Sequence, residues 1–263
     1  MVFVSNAVRL SHDYNFQLST FNSEPLNSRV PAWTYIIVVI AAYLLGSIPT
    51  GFLVAKAKGV DIRAVGSGNI GATNAMRALG KPAGIFVLLM DAAKGYSAVL
   101  AASFIVQWFN APGADAENHC IIAGIFAVLG HNYSCWIKFK GGKGVATTAG
   151  VYLALAPWSL LIALGVFILA ALLTRYVSVG SVAAAVALPI AVYCTQQNDA
   201  LNIVTLFLGV MVIYKHKTNI QRLMAGTENR LGKKPAAQSS TPVRFEETHG
   251  KDARATNNTE GME

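Results

Sequence analysis

Long apolar runs, most of them without a charged residue, alternate with short polar segments between residues 31 and 214. A helix needs about 20 apolar residues to cross a hydrocarbon core roughly 30 Å thick, and it satisfies its own backbone hydrogen bonds there. The pattern therefore predicts an all-α, polytopic membrane protein. The predicted spans are residues 32–55, 83–109, 120–137, 145–157, 159–174, 177–195 and 200–214.

Polar segments flank this apolar region on both sides. Residues 1–31 mix acidic and basic side chains and have no apolar core of the kind that a signal peptide needs, so we interpret them as a polar extension. Residues 231–263 are almost free of large apolar side chains, which predicts a disordered tail. The transmembrane domain is therefore expected to occupy residues 32–230.

Charge is distributed unevenly among the connections between the predicted spans. Five Lys and Arg residues accompany one acidic residue in the segment 56–82, whereas the connection at 110–119 contains two acidic residues and no basic one. The positive-inside rule places the basic connections in the cytoplasm. A turn near Pro157 keeps Arg175 inside and Asp199 outside. We therefore predict seven spans, with the N-terminus outside and the C-terminal tail in the cytoplasm.

Composition supports a membrane protein and argues against several other classes. Hydrophobic residues make up 54% of the 263 residues and charged residues 13%, against about 25% charged in soluble domains. Basic cytoplasmic loops account for the net charge of +8, so no nucleic-acid partner is expected. Three cysteines without a CxxC spacing indicate neither a disulfide framework nor a zinc site.

The first glycine-rich polar segment, GSGNIGATN at residues 66–74, lies on the predicted cytoplasmic side. Its glycines allow tight turns that point several backbone amides at one anion. Its loose GxGxxG spacing does not indicate dinucleotide binding, because a membrane helix precedes it instead of a strand. A plain flexible loop is the alternative. The candidate binding groups are Gly66, Ser67, Gly68, Asn69, Gly71, Thr73, Asn74 and, just beyond the segment, Arg77.

A second segment, KFKGGKGVATT at residues 138–148, places Gly141, Gly142, Lys143 and Gly144 before a predicted helix. It does not match a Walker A loop. Amides of a glycine loop at a helix N-terminus nevertheless favour an anion, so we predict a phosphate site there. The alternative is a juxtamembrane basic patch that binds anionic lipid headgroups, although such a patch has no need of the interleaved glycines.

The third segment, residues 216–230, contains three candidate side chains. His216 and Asn219 share a face if the segment is helical, and His216 is a candidate hydrogen-bond donor to phosphate or a proton carrier. A purely structural histidine is the alternative. Glu228 lies among basic residues and is interpreted as an ion-pairing strut rather than a base.

Two further features lie in or near the predicted spans. Asp91 and Lys94 are three residues apart in the second span, where an unpaired charge is costly, so we expect them to pair with each other or with the site. Ser178 and Ser181 begin the sixth span on the cytoplasmic side.

Three cationic clusters on one face indicate a substrate with more than one phosphate, or two phosphorylated substrates. A transporter of an organic phosphate would use the same residue types, but it would place them near the bilayer midplane, often within inverted repeats. No repeat is evident in the sequence. A structural lipid-binding protein would not explain the glycine loops.

The segments GSGNIGATN, FKGGKGVATT, RYVSVGS and HKTNIQRLMAGTENR, in this order, resemble the bacterial membrane glycerol-3-phosphate acyltransferases that use acyl phosphate as donor. The resemblance extends from about residue 33 to residue 230. It implies a seven-helix domain in the bacterial inner membrane, with the active site at the cytoplasmic face. It also implies acyl transfer from acyl phosphate to the 1-hydroxyl of sn-glycerol 3-phosphate, which yields lysophosphatidic acid and phosphate in the first acylation step of phospholipid synthesis.

The resemblance also implies that the enzyme needs no cofactor and no metal. Its expected partners are acyl phosphate, glycerol 3-phosphate, membrane lipid and, as a further candidate, the enzyme that makes acyl phosphate. The HxxxxD signature of thioester-dependent acyltransferases is absent, because Trp136 follows His131 at that offset and Gln221 follows His216. A phosphate oxygen of the donor is therefore expected to accept the hydroxyl proton.

Roles carried over from the resemblance fall into three groups. Ser67, Arg77, His216 and Asn219 are expected to be catalytic. Glu228, Asp91 and Lys94 are expected to give structural support, and Ser178 remains an alternative to Ser181 in the pocket. The expected substrate-binding residues are Gly66, Gly68, Asn69, Gly71, Thr73, Asn74, Gly141, Gly142, Lys143, Gly144 and Ser181.

Overall fold

The computed structural model describes residues 30–109 and 113–231. The predicted polar extension and disordered tail lie almost wholly outside the described residues and stay predictions. The described residues form ten α-helices and one 3-10 turn at Cys135–Ile137. The α-helices are α1 (Trp33–Ser47), α2 (Thr50–Ala57), α3 (Ala72–Leu79), α4 (Lys81–Trp108), α5 (Gly113–Asn132), α6 (Val145–Leu155), α7 (Pro157–Thr174), α8 (Val177–Thr195), α9 (Asp199–Lys215) and α10 (Lys217–Met224).

All seven predicted apolar segments are helical, but they differ in length. Five spans are long and apolar enough to cross a membrane: Trp33–Ala57, Lys81–Trp108, Asp115–Ile137, Pro157–Thr174 and Val177–Thr195. A sixth is reached if α9 and α10, which meet at 50°, count as one. Helix α6 has 11 residues and is therefore about 16 Å long, roughly half the hydrocarbon thickness. Seven full spans are thus not confirmed, and the orientation stays a prediction.

Two prolines divide the helices. The predicted turn near Pro157 is confirmed, because α6 ends at Leu155 and α7 begins at Pro157, a position where a missing N–H costs nothing. The first predicted span is broken at Pro49 into α1 and α2, since the residue before a proline is driven out of the helical region. The break leaves the carbonyl of Ile48 outside both helices, where it accepts from the ammonium of Lys94 and from the amide of Thr50, each at 3.0 Å.

Small residues let the helices approach closely. A Cβ at Gly46 of α1 would lie 2.1 Å from the carbonyl oxygen of Ala127 in α5. A Cβ at Gly150 of α6 would lie 1.8 Å from the carbonyl oxygen of Ala92 in α4. Backbone contact of this kind is the usual packing of membrane helices, where no hydrophobic effect drives helices together. It holds α6 against α4 and thereby positions the loop that precedes α6.

The polar connections meet at one end of the bundle. We call this end the polar end and define it as residues 58–80, 133–144, 175–181 and 216–231. Arg63 donates to the carbonyl of Ile137 at 3.5 Å, and the amide of Leu231 donates to the carbonyl of Arg175 at 2.7 Å. Segments that are far apart in sequence are therefore adjacent at the polar end.

Candidate active site

Glu228 is the hydrogen-bonding centre of the polar end. Its Oε1 accepts from the hydroxyl of Ser178 at 3.1 Å and from Nδ2 of Asn219 at 2.8 Å. Its Oε2 accepts from Nε of Arg222 at 2.8 Å. Burial raises the pKa of Glu228, but the hydrogen bonds from Arg222 and Asn219 outweigh burial and hold the pKa below its ordinary value. The carboxylate therefore stays charged and joins α8, α10 and the segment after α10.

Three basic side chains surround this carboxylate, and we call the group of Arg77, Lys143, Arg222 and Glu228 the cationic pocket. Burial lowers the pKa of Lys143 to about 8; Arg222 and Arg77 act in the same direction, and Glu228 opposes them. Burial also lowers the pKa of Arg77, with Glu228 opposing and Arg222 adding to the effect. Three positive groups against one negative group leave an excess of positive charge, which favours a phosphate ligand.

His216 lies at the junction of α9 and α10, on the buried side of the pocket. Its Nδ1 is 2.7 Å from the carbonyl oxygen of Val212. A carbonyl oxygen only accepts, so Nδ1 carries the proton, and Nε2 of the neutral ring presents a lone pair. The neutral side chain is thus an acceptor toward the pocket. A donor role toward phosphate, which the sequence left open, would require a second proton on the ring.

Lys143 connects the second polar segment to the third. Its Nζ donates a hydrogen bond to Oδ1 of Asn219, whose Nδ2 donates to Glu228. Asn219 and Arg222 are three residues apart on α10 and share one face. Arg222 was not among the site residues predicted from the sequence, although its helical spacing from Asn219 was the available signal.

The 66–74 loop is held in shape by one buried side chain. Asn74 accepts the amide of Ser67 at 2.9 Å and donates both hydrogens of its own amide, to the carbonyls of Ile62 and Val65 at 3.0 Å each. Asn74 therefore has no free donor for a substrate, and its predicted role in direct binding gives way to one in shaping the loop. Left-handed backbone at Gly66 and Gly68, with φ of +60° and +70°, completes the turns.

Other polar groups of this loop remain accessible. The carboxamide oxygen of Asn69 accepts the amide of Gly71 at 2.8 Å, a local turn that precedes α3. Ser67, Thr73 and Arg77 are partly exposed, and Arg77 is near enough to Arg222 and Glu228 for their charges to shift its pKa.

The glycine loop, which we define as residues 141–144, differs from the prediction in one respect. The amides of Gly141 and Gly142 donate to the carbonyls of Asn132 and His131, at 3.3 and 3.0 Å. The end of α5 has unpaired carbonyls, and these two amides satisfy them. In this structure both amides therefore face α5, and the role predicted for Gly141 and Gly142 in holding a phosphate stays a prediction. The groups that remain for an anion are the Lys143 side chain and the first amides of α6, which have no partner within the helix.

Three other predicted residues, Asp91, Lys94 and Ser181, form their hydrogen bonds and ion pairs away from Glu228. Asp91 and Lys94 form an ion pair at 2.9 Å, buried between the helices rather than within the cationic pocket. The hydroxyl of Ser181 donates to the carbonyl of Val177 in its own helix at 3.0 Å. Of the two serines that the sequence left as alternatives, it is Ser178 that reaches Glu228.

A bundle of apolar helices with a cationic pocket at one end defines an integral membrane protein with an excess of positive charge at its polar end. Residues 36–226 match the family model described as glycerol-3-phosphate acyltransferase. The chain belongs to this family of membrane enzymes, as the sequence resemblance predicted.

Relatives and solved structures agree with the family match. The glycerol-3-phosphate acyltransferase of Geobacter sulfurreducens is 48% identical over 198 residues, which cover 74% of this chain and 96% of the relative. That of Geotalea daltonii is 46% identical over 194 residues, with the same two coverages. The crystal structure of PlsY (YgiH), an integral membrane glycerol 3-phosphate acyltransferase, in its glycerol 3-phosphate form matches with a TM-score of 0.69 and 41% identity. The match covers 76% of this chain and 96% of that one, and a lysophosphatidic acid form of the same enzyme matches with a TM-score of 0.67.

Proposed function

We propose that this enzyme transfers the acyl group of acyl phosphate to the 1-hydroxyl of sn-glycerol 3-phosphate, yielding lysophosphatidic acid and inorganic phosphate. The observation that carries the proposal is the convergence of Arg77, Lys143 and Arg222 around Glu228 at the polar end. Both proposed substrates are phosphate esters or anhydrides. Because Glu228 is already paired with Arg222, the charges of Arg77 and Lys143 are available to the two substrate phosphates.

The proposed reaction does not require a strong base from the protein. The 1-hydroxyl oxygen bonds to the acyl carbon, the bond from that carbon to the phosphate oxygen breaks, and the hydroxyl proton leaves with the phosphate. Acyl phosphate is an activated donor, so holding the two anions in register and orienting the hydroxyl supplies most of the catalysis. Arg77 and the hydroxyl of Ser67 are the groups proposed to stabilise the charge that shifts onto the leaving phosphate.

His216 and Asn219 are proposed to orient the acceptor. The lone pair on Nε2 of His216 is proposed to accept a hydrogen bond from the 2-hydroxyl of glycerol 3-phosphate, because Nδ1 is committed to Val212. Asn219 is held between Lys143 and Glu228 and fixes the position of the lysine ammonium. The proton itself passes to an oxygen of the donor phosphate, in keeping with the absence of an HxxxxD signature.

The proposal includes a location. The enzyme is placed in the bacterial inner membrane with its polar end in the cytoplasm, where the soluble glycerol 3-phosphate is found and the acyl chain of the donor remains in surrounding lipid. The basic residues of the polar end support this orientation. An enzyme that makes acyl phosphate is the proposed partner for delivery of the donor.

The direct test is turnover by the purified protein in detergent micelles with a long-chain acyl phosphate and glycerol 3-phosphate. Lysophosphatidic acid and inorganic phosphate are expected in equal amounts. A parallel reaction with the matching acyl-coenzyme A, and no acyl phosphate, should give no product. Comparable turnover with the thioester would overturn the proposed donor, and uptake of unmodified glycerol 3-phosphate into sealed proteoliposomes without acylation would favour a transporter.

A further inference from the structure

A buried polar cluster lies beneath the glycine loop, outside the cationic pocket. It consists of Asp91 and Lys94 of α4 and His131 of α5, all of them at most 5% exposed. Asp91 is paired with Lys94 at 2.9 Å, and Nδ1 of His131 lies 3.6 Å from the same carboxylate oxygen. Lys94 also donates to the carbonyl of Ile48 at the break between α1 and α2. Helix α4 and the break between α1 and α2 thereby meet beside the imidazole of His131.

The other side of this imidazole touches the glycine loop. A Cβ built on Gly142 would lie 2.1 Å from Nε2 of His131 and 2.8 Å from Cε1. The carbonyl oxygen of His131 accepts the amide of Gly142 at 3.0 Å. The ring and the main chain of one residue therefore set how closely the loop approaches α5.

A buried ion pair is weak evidence for stability, because desolvation consumes most of its attraction. The Asp91–Lys94 pair instead supplies geometry. It holds a fixed negative charge beside one edge of the His131 ring, so that the opposite edge faces Gly142. Lys143 follows directly, and its ammonium must reach both Asn219 and a substrate phosphate.

We propose that His131 is a positioning residue of the glycine loop: its imidazole, which lies between the Asp91 carboxylate and Gly142, sets the distance of Gly142 from α5 and thereby places Lys143 and the first amides of α6 against the phosphate of glycerol 3-phosphate. The inference rests on the proposed function for the identity of that phosphate ester. His131 itself touches neither substrate.

The test is a cycle of the variants Gly142→Ala, His131→Ala and their combination, measured as KM for glycerol 3-phosphate and as kcat. Gly142→Ala should raise KM about tenfold, because the added methyl displaces the loop from the ring. In the double variant the methyl group has room because the ring is absent. The fold increase in KM should therefore be well below the product of the increases in the two single variants. The value of kcat at saturating substrate should change less than KM in every variant.

Gly141 provides a matched control within the same loop. A Cβ there would lie 2.0 Å from the carbonyl oxygen of His131, a main-chain atom that His131→Ala does not remove. Gly141→Ala should therefore not be relieved by His131→Ala. Gly165 in α7, where an added Cβ meets nothing within 4 Å, controls for the substitution itself. If His131→Ala does not fold, His131→Asn takes its place in the cycle.

The outcomes separate this inference from the proposed function. A wild-type enzyme that turns over both substrates, combined with Gly142→Ala and His131→Ala effects on KM that simply multiply, would overturn the positioning role alone. Equal relief of Gly141→Ala and Gly142→Ala would overturn it as well. A wild-type protein without turnover on acyl phosphate and glycerol 3-phosphate would overturn the proposed function, and the substrate assignment made here with it.

Discussion

The ammonium of Lys143 donates a hydrogen bond to the side-chain oxygen of Asn219, 76 residues further along the chain. The same amide donates to Glu228, which also holds Arg222 and Ser178. One carboxylate thus fixes the orientation of Asn219, and Asn219 fixes the lysine of the glycine loop. A substitution of Glu228 should therefore alter the position of the Lys143 ammonium, and a substitution of Lys143 should alter the position of Glu228.

Lys143 should give the reaction an alkaline limit. Its pKa of about 8 means that the free enzyme loses this charge as the pH rises through 8, and phosphate binding should weaken with it. We expect kcat/KM for glycerol 3-phosphate to fall above pH 8. Lys143→Arg, whose guanidinium stays charged, should move this limb upward by at least about 2 pH units. The pH profile of kcat/KM checks this, and an unchanged limb in Lys143→Arg would assign it to another group.

Arg77 should act mainly on the chemical step. Its guanidinium is half-buried in the cationic pocket and is proposed to stabilise charge on the leaving phosphate. Arg77→Ala should lower kcat by about 10²–10³, the usual cost of losing one such electrostatic group. Lys58→Ala removes an exposed cation from the same connection and should leave kcat unchanged. A change in KM alone for Arg77→Ala would mean that Arg77 only binds substrate.

His216 should matter as an acceptor. His216→Ala should lower kcat about tenfold, the value of one well-placed hydrogen bond, and His216→Gln should recover part of the loss because its amide oxygen also accepts. The measurement is kcat across pH 3–9, because burial lowers the pKa of His216 to about 4. If His216→Ala instead abolished turnover and removed an acidic limb that the wild type shows, His216 would be the general base, and proton transfer to the donor phosphate would be refuted.

Glu228 should stabilise the folded protein in a pH-dependent way. Its pKa in the folded state is below the ordinary value, so its contribution is present above the unfolded-state pKa and is lost as the pH falls through the folded-state pKa. Glu228→Gln should lower the thermal midpoint at pH 7 and flatten its decline in acid. Ser178→Ala, which removes one of three hydrogen bonds to the carboxylate, should cost about 1 kcal/mol. Equal acid sensitivity of wild type and Glu228→Gln would contradict a stabilising role for the Glu228 carboxylate.

The orientation can be tested by labelling in intact cells. In a background lacking Cys120, Cys135 and Cys194, a membrane-impermeant thiol reagent should react with Asp115→Cys and not with Leu79→Cys. After permeabilisation both positions should react. The reverse pattern in intact cells would move the polar end, and the proposed site with it, to the outside.

Much of this protein could be predicted from local sequence. The apolar runs, the break at Pro157, the helix with His216 near its start and the glycine-rich segments all follow from residues within one or two turns of each other. Hydropathy and backbone preference are local properties, so they can be determined from the sequence without knowledge of the fold. The order of the four motifs was specific enough to predict the family.

Hydrogen-bond partners and helix lengths could not be predicted in this way, because they depend on which distant segments meet. The tertiary structure alone showed that the amides of Gly141 and Gly142 donate to carbonyls at the end of α5. It also showed that Asn74 donates both side-chain hydrogens to carbonyls just before its own loop. It also brought Arg222 and Ser178 to Glu228, and placed His131 under Gly142. Sequence determined which groups could bind an anion, and packing between helices decided which of them remain free to do so.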